Sequence, residues 1–244
     1  WPQREEAWRD TTIEAARDTH AEVIATVSEF EPVLVIADPS QEADARKRCP
    51  QSNVEVLPLP IDDSWLRDSG PIIVTGEDGD RAGVDFAFNA WGEAFSPYRN
   101  DAAISSRILD HLDIERFIEP MILEGGSIAV DGEGLLVTTE QCLLNPNRNP
   151  DLDRHTIDAE LCRALGLERV VWLEKGLVED ADTDGHVDNI CAFLEPDRVL
   201  LQTVNDPADP NYEGSRENVR RLEAAGIEVV EWELLPRITR EDGE

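Results

Sequence analysis

Apolar residues at helical spacing dominate the first thirty positions of the chain and then give way to a short extended run. The mostly apolar stripe comprises Ile13, Ala16, His20, Val23, Ile24, Val27 and Phe30. Thr11-x-x-Glu14 is a capping box, which predicts that a helix begins there, and Pro32 predicts its end. Val33–Ala37 is an apolar run typical of a buried strand, and a second helix is predicted over Gln41–Arg48.

A short pattern, here called the marker, recurs four times, in each case soon after a predicted helix. Its copies are Asn53-Val-Glu-Val-Leu57, Asp113-Ile-Glu-Arg-Phe117, Gly166-Leu-Glu-Arg-Val170 and Gly226-Ile-Glu-Val-Val230. Each copy has a turn-forming residue, an aliphatic residue, a glutamate and then strand-forming residues. The aliphatic positions are 60, 53 and 60 residues apart, and a period in this range is typical of a repeat architecture.

Between the markers, extended segments separated by turn residues predict hairpins. The predicted hairpin strands are Gly70–Val74 with Ala82–Phe88, Ser127–Val130 with Leu135–Thr138, and Val187–Leu194 with Val199–Thr203. Helices are predicted over Asp101–Leu112, Asp153–Leu165 and Ser215–Ala225, and a glycine follows each of the last two. The repeating unit is therefore strand, hairpin and helix. Because no change in composition marks a linker, we expect one mixed α/β domain.

The charge of the chain is strongly acidic. Its 244 residues carry a formal charge of −31, and of the 22 basic residues only Lys47 and Lys175 are lysines. Such self-repulsion destabilises a compact protein in ordinary salt, so we interpret the acidity as a halophilic adaptation, since screening weakens repulsion at high salt. An acidic surface disfavours nucleic acid and anionic membranes as partners, and it favours a cationic substrate.

The four cysteines, Cys49, Cys142, Cys162 and Cys191, are too few for a disulfide scaffold and lack the spacing of zinc ligands. We expect them to be buried, reduced thiols. The sequence contains no apolar run that approaches the roughly 18 residues needed to span a bilayer, and no signal peptide is evident. These features are typical of a cytoplasmic protein.

Polar residues occupy equivalent places in successive repeats. Asp68 lies just before the first hairpin strand of its unit, Glu124 takes the same place in the second unit, and His186 with Asp188 takes it in the third. Strand alternation predicts that His186 and Asp188 point to one strand face, whereas Cys191 points to the other. If rotation about one axis relates the repeats, the four acidic and imidazole side chains converge on that axis.

Three carboxylates and one imidazole in a shared pocket favour a cationic ligand, because like charges placed close together are unfavourable without a cation. A guanidinium group fits this set, since it is planar and permanently charged and carboxylates bind it in bidentate pairs. Trp65 offers a flat face for such a cation or for an alkyl tail. The pattern predicts a site for a small cationic guanidine.

Five longer motifs carry a family resemblance. They are Trp65-Leu-Arg-Asp-Ser-Gly-Pro71, Phe88-Asn-Ala-Trp-Gly92, Leu123-Glu-Gly-Gly-Ser127, Leu144-Asn-Pro-Asn-Arg-Asn-Pro150 and Thr183-Asp-Gly-His-Val-Asp-Asn189. Together they closely resemble agmatine deiminases, which belong to the guanidine-modifying pentein superfamily and are related to bacterial peptidylarginine deiminases. The resemblance extends from Trp8 to about Glu231. It implies a five-bladed α/β propeller with pseudo-fivefold symmetry, incomplete in this chain.

The resemblance also implies an activity and a set of roles. Agmatine deiminases hydrolyse the guanidinium of agmatine to N-carbamoylputrescine and ammonia, a step of putrescine and polyamine biosynthesis. Asp68 and Asp188 would hold the guanidinium nitrogens, Glu124 would line the same pocket, and His186 would be general acid and base. A cysteine thiolate forms a covalent intermediate, and neither a metal nor an organic cofactor is implied. A homo-oligomer of the full-length protein is left open.

The chain departs from the family pattern at the nucleophile. The family motif Gly-Gly-Gly-x-x-His-Cys has no counterpart, and the sequence ends shortly after Ile227. We therefore expect residues 1–244 to be a single deiminase domain truncated at its C-terminus and at its N-terminus, and inactive alone. Cys191 is expected on the strand face opposite to that of His186. The other three cysteines are expected to lie away from the converging residues, so none of the four is expected to be the nucleophile. The Leu144–Pro150 motif is interpreted as a hydrogen-bonded loop without a catalytic role.

Three other functions remain open. Peptidylarginine deiminase would need an open groove, whereas agmatine needs a closed pocket with an acid for its distant ammonium, and Asp182 is the candidate for that acid. From another class, the chain would be a non-catalytic guanidine-binding remnant. A metal hydrolase that uses His186 and Asp188 is disfavoured, because the sequence has no second histidine at ligand spacing.

Overall fold

The chain folds into two compact units of mixed α/β structure. The computed structural model describes residues 1–8 and 11–235, and the units comprise Trp1–Ile122 and Leu123–Glu244. The predicted mixed α/β class is confirmed. That the whole chain forms a single domain stays a prediction. Among the described helices, none combines the length and the apolar character needed to cross a lipid bilayer.

The first unit contains a parallel pair of strands and a mixed three-stranded sheet. Its strands are β1 (Val33–Ala37), β2 (Val54–Pro58), β3 (Ile72–Thr75), β4 (Arg81–Ala87) and β5 (Glu115–Ile122). Its helices are α1 (Ile13–Val27), α2 (Glu42–Arg48), α3 (Leu66–Ser69), α4 (Ala90–Glu93) and α5 (Ile104–Leu112), with 3-10 turns at Glu5–Trp8 and Asp101–Ala103. β1 pairs with β2, and β4 lies between antiparallel β3 and parallel β5.

The second unit repeats the mixed sheet twice. Its strands are β6 (Ile128–Val130), β7 (Leu135–Thr139), β8 (Arg169–Leu173), β9 (Cys191–Glu195), β10 (Arg198–Thr203) and β11 (Glu228–Glu233). Its helices are α6 (Glu140–Leu143), α7 (Arg154–Leu165) and α8 (Tyr212–Ala224), with 3-10 turns at Gly125–Ser127 and Val187–Asn189. In both sheets the middle strand, β7 or β10, pairs with an antiparallel hairpin partner and a parallel strand.

The predicted repeat of hairpin, helix and marker strand is confirmed. Each three-stranded sheet consists of a hairpin and the marker strand that follows it, reached through a helix as a parallel connection requires. The register pairs Ala82 with Glu115, Leu135 with Arg169 and Arg198 with Glu228. The last three markers therefore each complete the sheet of the hairpin before them, whereas the first marker, in β2, pairs with β1.

The core of the second unit anchors the loop that carries His186. Leu173 of β8, Leu201 of β10 and Leu222 of α8 are fully buried in one cluster with Val187 and Ile190. Burying a valine or isoleucine side chain contributes about 1.5–3 kcal/mol. The two apolar residues that follow His186 thus fix the position of this part of the chain.

The first helix differs from its prediction at both ends. Thr12 rather than Thr11 is the N-cap, and its side chain accepts a hydrogen bond from the Ala15 amide at 3.1 Å. The helix ends at Val27, so Phe30 lies beyond it and is 84% exposed. The apolar spacing continues to Phe30, but periodicity shows neither that the helix extends that far nor that another element covers the apolar face.

Candidate active site

Asp180 organises the loop that presents His186. Its carboxylate accepts hydrogen bonds from the backbone amide of His186 at 2.9 Å and from the Nδ2 of Asn189 at 3.0 Å. It also accepts from the hydroxyl and the backbone amide of Thr183, at 2.6 and 3.1 Å. One carboxylate therefore satisfies two backbone amides that a strand ladder would otherwise pair, together with two side-chain donors.

Gly185 allows the turn immediately before His186. Its φ is +84°, and a Cβ there would lie 2.9 Å from the Gly176 backbone nitrogen and 2.5 Å from Oε1 of Gln141. The Thr139 hydroxyl donates to the Gly185 carbonyl at 2.7 Å. Only glycine combines this left-handed conformation with so close an approach of backbone to backbone.

The prediction of an alternating strand through His186 and Asp188 is wrong. A 3-10 turn occupies Val187–Asn189, and β9 begins at Cys191. His186 is 2% exposed, whereas Asp188 is exposed. The two residues do not share a strand face, because the hydrogen bonds to Asp180 and the left-handed Gly185 replace the extended conformation.

Glu124 meets His186 in the interior of the second unit. Its side chain is 0% exposed, and its Oε2 lies 3.9 Å from Nε2 of His186. The Glu124 carbonyl accepts hydrogen bonds from the backbone amide and the hydroxyl of Ser127, at 3.0 and 2.6 Å, which closes the turn after Glu124. The structure thus brings together two of the predicted site residues that are 62 positions apart in the sequence.

Arg148 lies against the same carboxylate and was missed by the sequence analysis, which assigned its motif no role. Its Nε donates to Oε1 of Glu124 at 2.9 Å, and its Nη2 donates to the Thr183 carbonyl at 3.1 Å. Its Nη1 donates to Oδ2 of Asp184 and, at 2.8 Å, to Oδ1 of Asn147. Burial disfavours the charged guanidinium, but the surrounding negative charges, above all Glu124, outweigh this effect and raise the pKa of Arg148.

Cys142 also contributes to this cluster, contrary to the expectation that it lies away from the site. It sits on α6 and is 0% exposed, and the ligand atoms of Cys142, Glu124 and His186 all lie within 4.8 Å of one another. Burial, followed by the negative charge of Glu124, raises the pKa of the Cys142 thiol well above its usual value. This cysteine is therefore a neutral thiol, because an activated thiolate needs a lowered pKa.

The Glu124–Cys142–His186 spacing is one that a metal ion accepts. However, Arg148 already places a buried positive charge against Glu124, and burial keeps Cys142 protonated. Both effects oppose a metal ion bound by these three side chains. That the protein requires no metal stays a prediction.

The other three cysteines have environments that disfavour a nucleophile. Burial raises the pKa of the Cys191 thiol to about 12. Burial likewise raises the pKa of the thiols of Cys49 and Cys162. These directions support the prediction that the nucleophile is not among these cysteines.

In the first unit, the indole of Trp91 positions Asp68. Asp68 lies in α3, and its Oδ2 accepts a hydrogen bond from the Trp91 indole at 3.1 Å. Trp91 belongs to α4, where the φ values of Ala90–Glu93 are 55°, 57°, 77° and 65°. Four consecutive positive φ values are costly for non-glycine residues, and such strain is typical of functional sites.

The remaining predicted residues lie on the surface. Trp65 is 46% exposed and stacks on Trp8, with ring centroids 5.8 Å apart. Asp182 is exposed in the turn before His186. The convergence of Asp68 and Asp188 with the Glu124–His186 pair stays a prediction, as do the roles of Trp65 and Asp182.

Comparison with known proteins defines the class to which this arrangement belongs. The sequence pattern of the Porphyromonas-type peptidyl-arginine deiminases matches residues 1–234. The chain therefore belongs to this family.

Individual relatives are more specific. The chain is 44% identical over 217 residues to an agmatine deiminase of Pseudomonas fluorescens and 43% identical over 229 residues to one of Medicago truncatula, covering 87% and 89% of the chain. It spans 58% and 61% of the length of these relatives. A solved structure, agmatine deiminase of Enterococcus faecalis catalysing its reaction, superimposes with a TM-score of 0.90 at 31% identity, over 98% of this chain and 68% of that one.

Proposed function

We propose that the chain forms part of an agmatine deiminase and that Glu124 and His186 act on the guanidinium of the substrate. The observation that carries this proposal is the burial of an imidazole 3.9 Å from a carboxylate that Arg148 also contacts. Similarity to agmatine deiminases at 43–44% identity favours agmatine over other guanidines. Because the chain covers part of those relatives, the activity belongs to the protein as its gene encodes it.

The proposed reaction uses four residues of this chain. Asp68 and Asp188 hold the guanidinium nitrogens, which fixes the plane of a carbon whose delocalised charge makes it a poor electrophile. Glu124 lines the pocket beside His186. In the first half of the reaction a cysteine thiolate adds to the guanidinium carbon, and His186 protonates the departing ammonia. In the second half His186 takes a proton from a water molecule, and the water oxygen attacks the same carbon. The carbon–sulfur bond then breaks, which releases the thiolate and gives the ureido product.

The nucleophile in this proposal lies outside the four cysteines of the chain. Cys142 is nearest to His186, but its thiol is neutral. A thiolate nucleophile needs a lowered thiol pKa, which none of these four environments provides. Asp182 is proposed to pair with the distant ammonium of agmatine, and Trp65 to contact its alkyl chain.

The finer architecture is part of the same proposal. Repetition of the hairpin and marker strand supports a five-bladed α/β propeller, in which the converging side chains surround the pseudo-fivefold axis. A cytoplasmic location is supported by the four cysteines, all of them free in the structure. A halophilic host is supported by the formal charge of −31. A role in putrescine biosynthesis follows from the proposed product.

The test compares agmatine with an arginine-containing peptide as substrates of the protein as its gene encodes it. We expect ammonia and a ureido product from agmatine in equal amounts, and little from the peptide. His186→Asn should lower kcat by about 10²–10⁴-fold, because the acid–base group is lost. His155→Asn is the matched control, since His155 is exposed on α7. Equal activity of the His186 variant would overturn the proposal.

A peptidyl-arginine deiminase is the alternative that the family match favours. It predicts the opposite preference, with the peptide as the better substrate. A non-catalytic guanidine-binding remnant predicts that calorimetry detects agmatine binding, weakened by Glu124→Gln and unchanged by Glu133→Gln, without ammonia release. Glu133 lies in an exposed turn and controls for the loss of one carboxylate.

A further inference from the structure

We propose that Arg148 is a positioning residue that holds the Glu124 carboxylate against His186 and fastens both to the loop before His186. The role of this cluster in catalysis rests on the proposed function. The hydrogen bonds and burial that carry the inference belong to the second unit alone.

The contacts of Arg148 connect segments that are distant in the sequence. Its Nε donates to Glu124 at 2.9 Å, whereas its Nη2 donates to the Thr183 carbonyl at 3.1 Å and its Nη1 to Asp184. Asp184 has a φ of +60° and precedes Gly185, so it lies in the turn that aims His186 inward. One planar group therefore sets the distance between the Glu124 turn and the His186 loop.

The shape of the guanidinium matters as much as its charge. Its side chain is 0% exposed, and its donors point in three directions to two carboxylates, a carbonyl and the Asn147 amide oxygen. A lysine ammonium is a point charge that lacks this fixed fork. Lysine at position 148 would keep the charge and lose the geometry, which separates the two contributions.

The charge of Arg148 also favours the ionised form of the adjacent Glu124 carboxyl group. In the part of the chain that the structure describes, charged and titratable groups beside Glu124 include Arg148, His186 at 3.9 Å and the neutral Cys142 thiol, with Asp184 behind Arg148. Burial favours a protonated carboxyl, and an adjacent cation favours the carboxylate. Without Arg148, Glu124 would take up a proton at a higher pH and would no longer attract a cationic guanidinium or the imidazolium of His186.

The kinetic test uses Arg148→Gln and Arg148→Lys in the protein as its gene encodes it, with agmatine as substrate. For Arg148→Gln we expect the acid limb of the kcat/KM profile to move to higher pH by about one to three units. For Arg148→Lys we expect the acid limb to stay near that of the parent, while kcat falls about 10²-fold because the two functional groups are misplaced. Arg154→Gln and Arg154→Lys are the matched controls, since Arg154 is half exposed on α7, and we expect parent-like profiles.

A purely structural role for Arg148 would give a different result. Both Arg148 variants would then lower the melting temperature, while the folded fraction kept the parent pH profile and kcat; this outcome overturns the inference. Asp184→Asn is a milder variant in case Arg148→Gln does not fold, because asparagine tolerates the positive φ at this position. We expect it to lower kcat less than Arg148→Lys does, with no change in KM beyond about twofold.

A second readout is independent of turnover. The carboxyl signal of Glu124 can be followed by ¹³C NMR against pH and assigned by its loss in Glu124→Gln. We expect its midpoint to rise in Arg148→Gln and to stay near the parent value in Arg148→Lys. If agmatine is not a substrate, the proposed function fails while this titration still tests the inference, and an unchanged midpoint in Arg148→Gln overturns it.

Discussion

Each of the two units buries a group of carboxylates, and the two groups differ in what neutralises them. In the first unit the backbone amide of Asp62 donates to Oδ1 of Asp101 at 2.7 Å, and Asp63 lies beside both. Burial, reinforced by the two neighbouring carboxylates, raises the pKa of Asp101 to about 6. Asp63 pairs with Arg4 at 3.0 Å, yet burial still raises its pKa.

In the second unit Glu124 is at least as buried, but it shares Arg148 with Asp184. The negative charges around Arg148 outweigh its own burial and raise its pKa, so this guanidinium stays charged beside Glu124. The comparison teaches that burial alone does not decide the charge of a carboxyl group. Burial and neighbouring carboxylates drive a carboxyl group toward its neutral form, whereas an adjacent guanidinium opposes that shift.

Of the substitutions that test this comparison, removal of the Arg148 guanidinium should change the free energy of unfolding most. Arg148→Met should lower the free energy of unfolding by about 3–5 kcal/mol, because it leaves a buried carboxylate without its cation. Urea denaturation monitored by circular dichroism measures the loss. A decrease below about 1 kcal/mol would show that Glu124 does not depend on Arg148 for its charge.

The next largest effect on the free energy of unfolding is expected from a substitution that strains the loop contacted by Arg148. Gly185→Ala should destabilise the protein by about 2–4 kcal/mol, since it combines a positive φ with contact to the Gly176 backbone. Gly132→Ala is the matched control, because its φ is also positive, at +80°, but its Cβ would meet nothing within 4 Å. Denaturant titration measures the loss of stability in both variants. Equal losses would show that the close packing around Gly185 does not add to the cost of placing alanine there.

The carboxylates of the first unit predict a dependence of stability on pH. The folded state raises the pKa of Asp101 from 3.8 to about 6, so the folded chain binds this proton more tightly than the unfolded chain. The stabilisation that Asp101 gives the folded state by binding this proton is therefore fully present below pH 3.8 and is lost as the pH rises through about 6. Asp101→Asn mimics the neutral form and should raise the free energy of unfolding near neutral pH by up to about 3 kcal/mol, at about 1.4 kcal/mol per pKa unit.

The measurement for Asp101 is a series of urea titrations between about pH 4 and about pH 7.5. The parent should lose stability over this range relative to Asp101→Asn, and Asp110→Asn, on the exposed end of α5, should follow the parent. Parallel curves for the parent and Asp101→Asn would contradict the raised pKa.

A surface ion pair gives the smallest expected effect and calibrates the first prediction. Arg163 pairs with Glu160 one turn away on α7, and its side chain is 62% exposed. Arg163→Met should change the free energy of unfolding by about 0.5 kcal/mol or less, because water screens such pairs. A loss comparable to that of Arg148→Met, in the same urea experiment, would mean that burial is not what distinguishes the two arginines.

Elements with local signals could be predicted well from the sequence. The helix predicted over Asp153–Leu165 is observed at Arg154–Leu165, with Asp153 accepting from the Thr156 amide and Gly166 in the left-handed conformation that ends it. The hairpin around Asp131 agrees within one residue at each strand, because its turn residues determine where the strands stop. Such features are predictable because the residues that determine them lie within a few positions of one another.

The loop around His186 could not be predicted in this way. Alternating residue types favoured a strand, but the carboxylate of Asp180 captures the His186 amide from six positions away. The same limit explains the errors at Cys142 and Arg148, which reach Glu124 from 18 and 24 positions along the chain. The Leu144–Pro150 motif, which contains Arg148, is rich in hydrogen-bonding residues and so indicated an ordered loop, but it gave no indication of the partner of Arg148.

By itself, the sequence determined the repeated hairpin and marker strand, the mixed α/β class and the residue types on which the proposed guanidine site depends. Only the tertiary structure decided that Glu124 faces His186, that Arg148 pairs with this carboxylate and that Asp188 is exposed. The physical reason is that hydrophobic periodicity and turn residues determine which face of a helix or strand is apolar and where that element ends. The charge and orientation of a buried group depend on side chains that arrive from elements distant in the sequence.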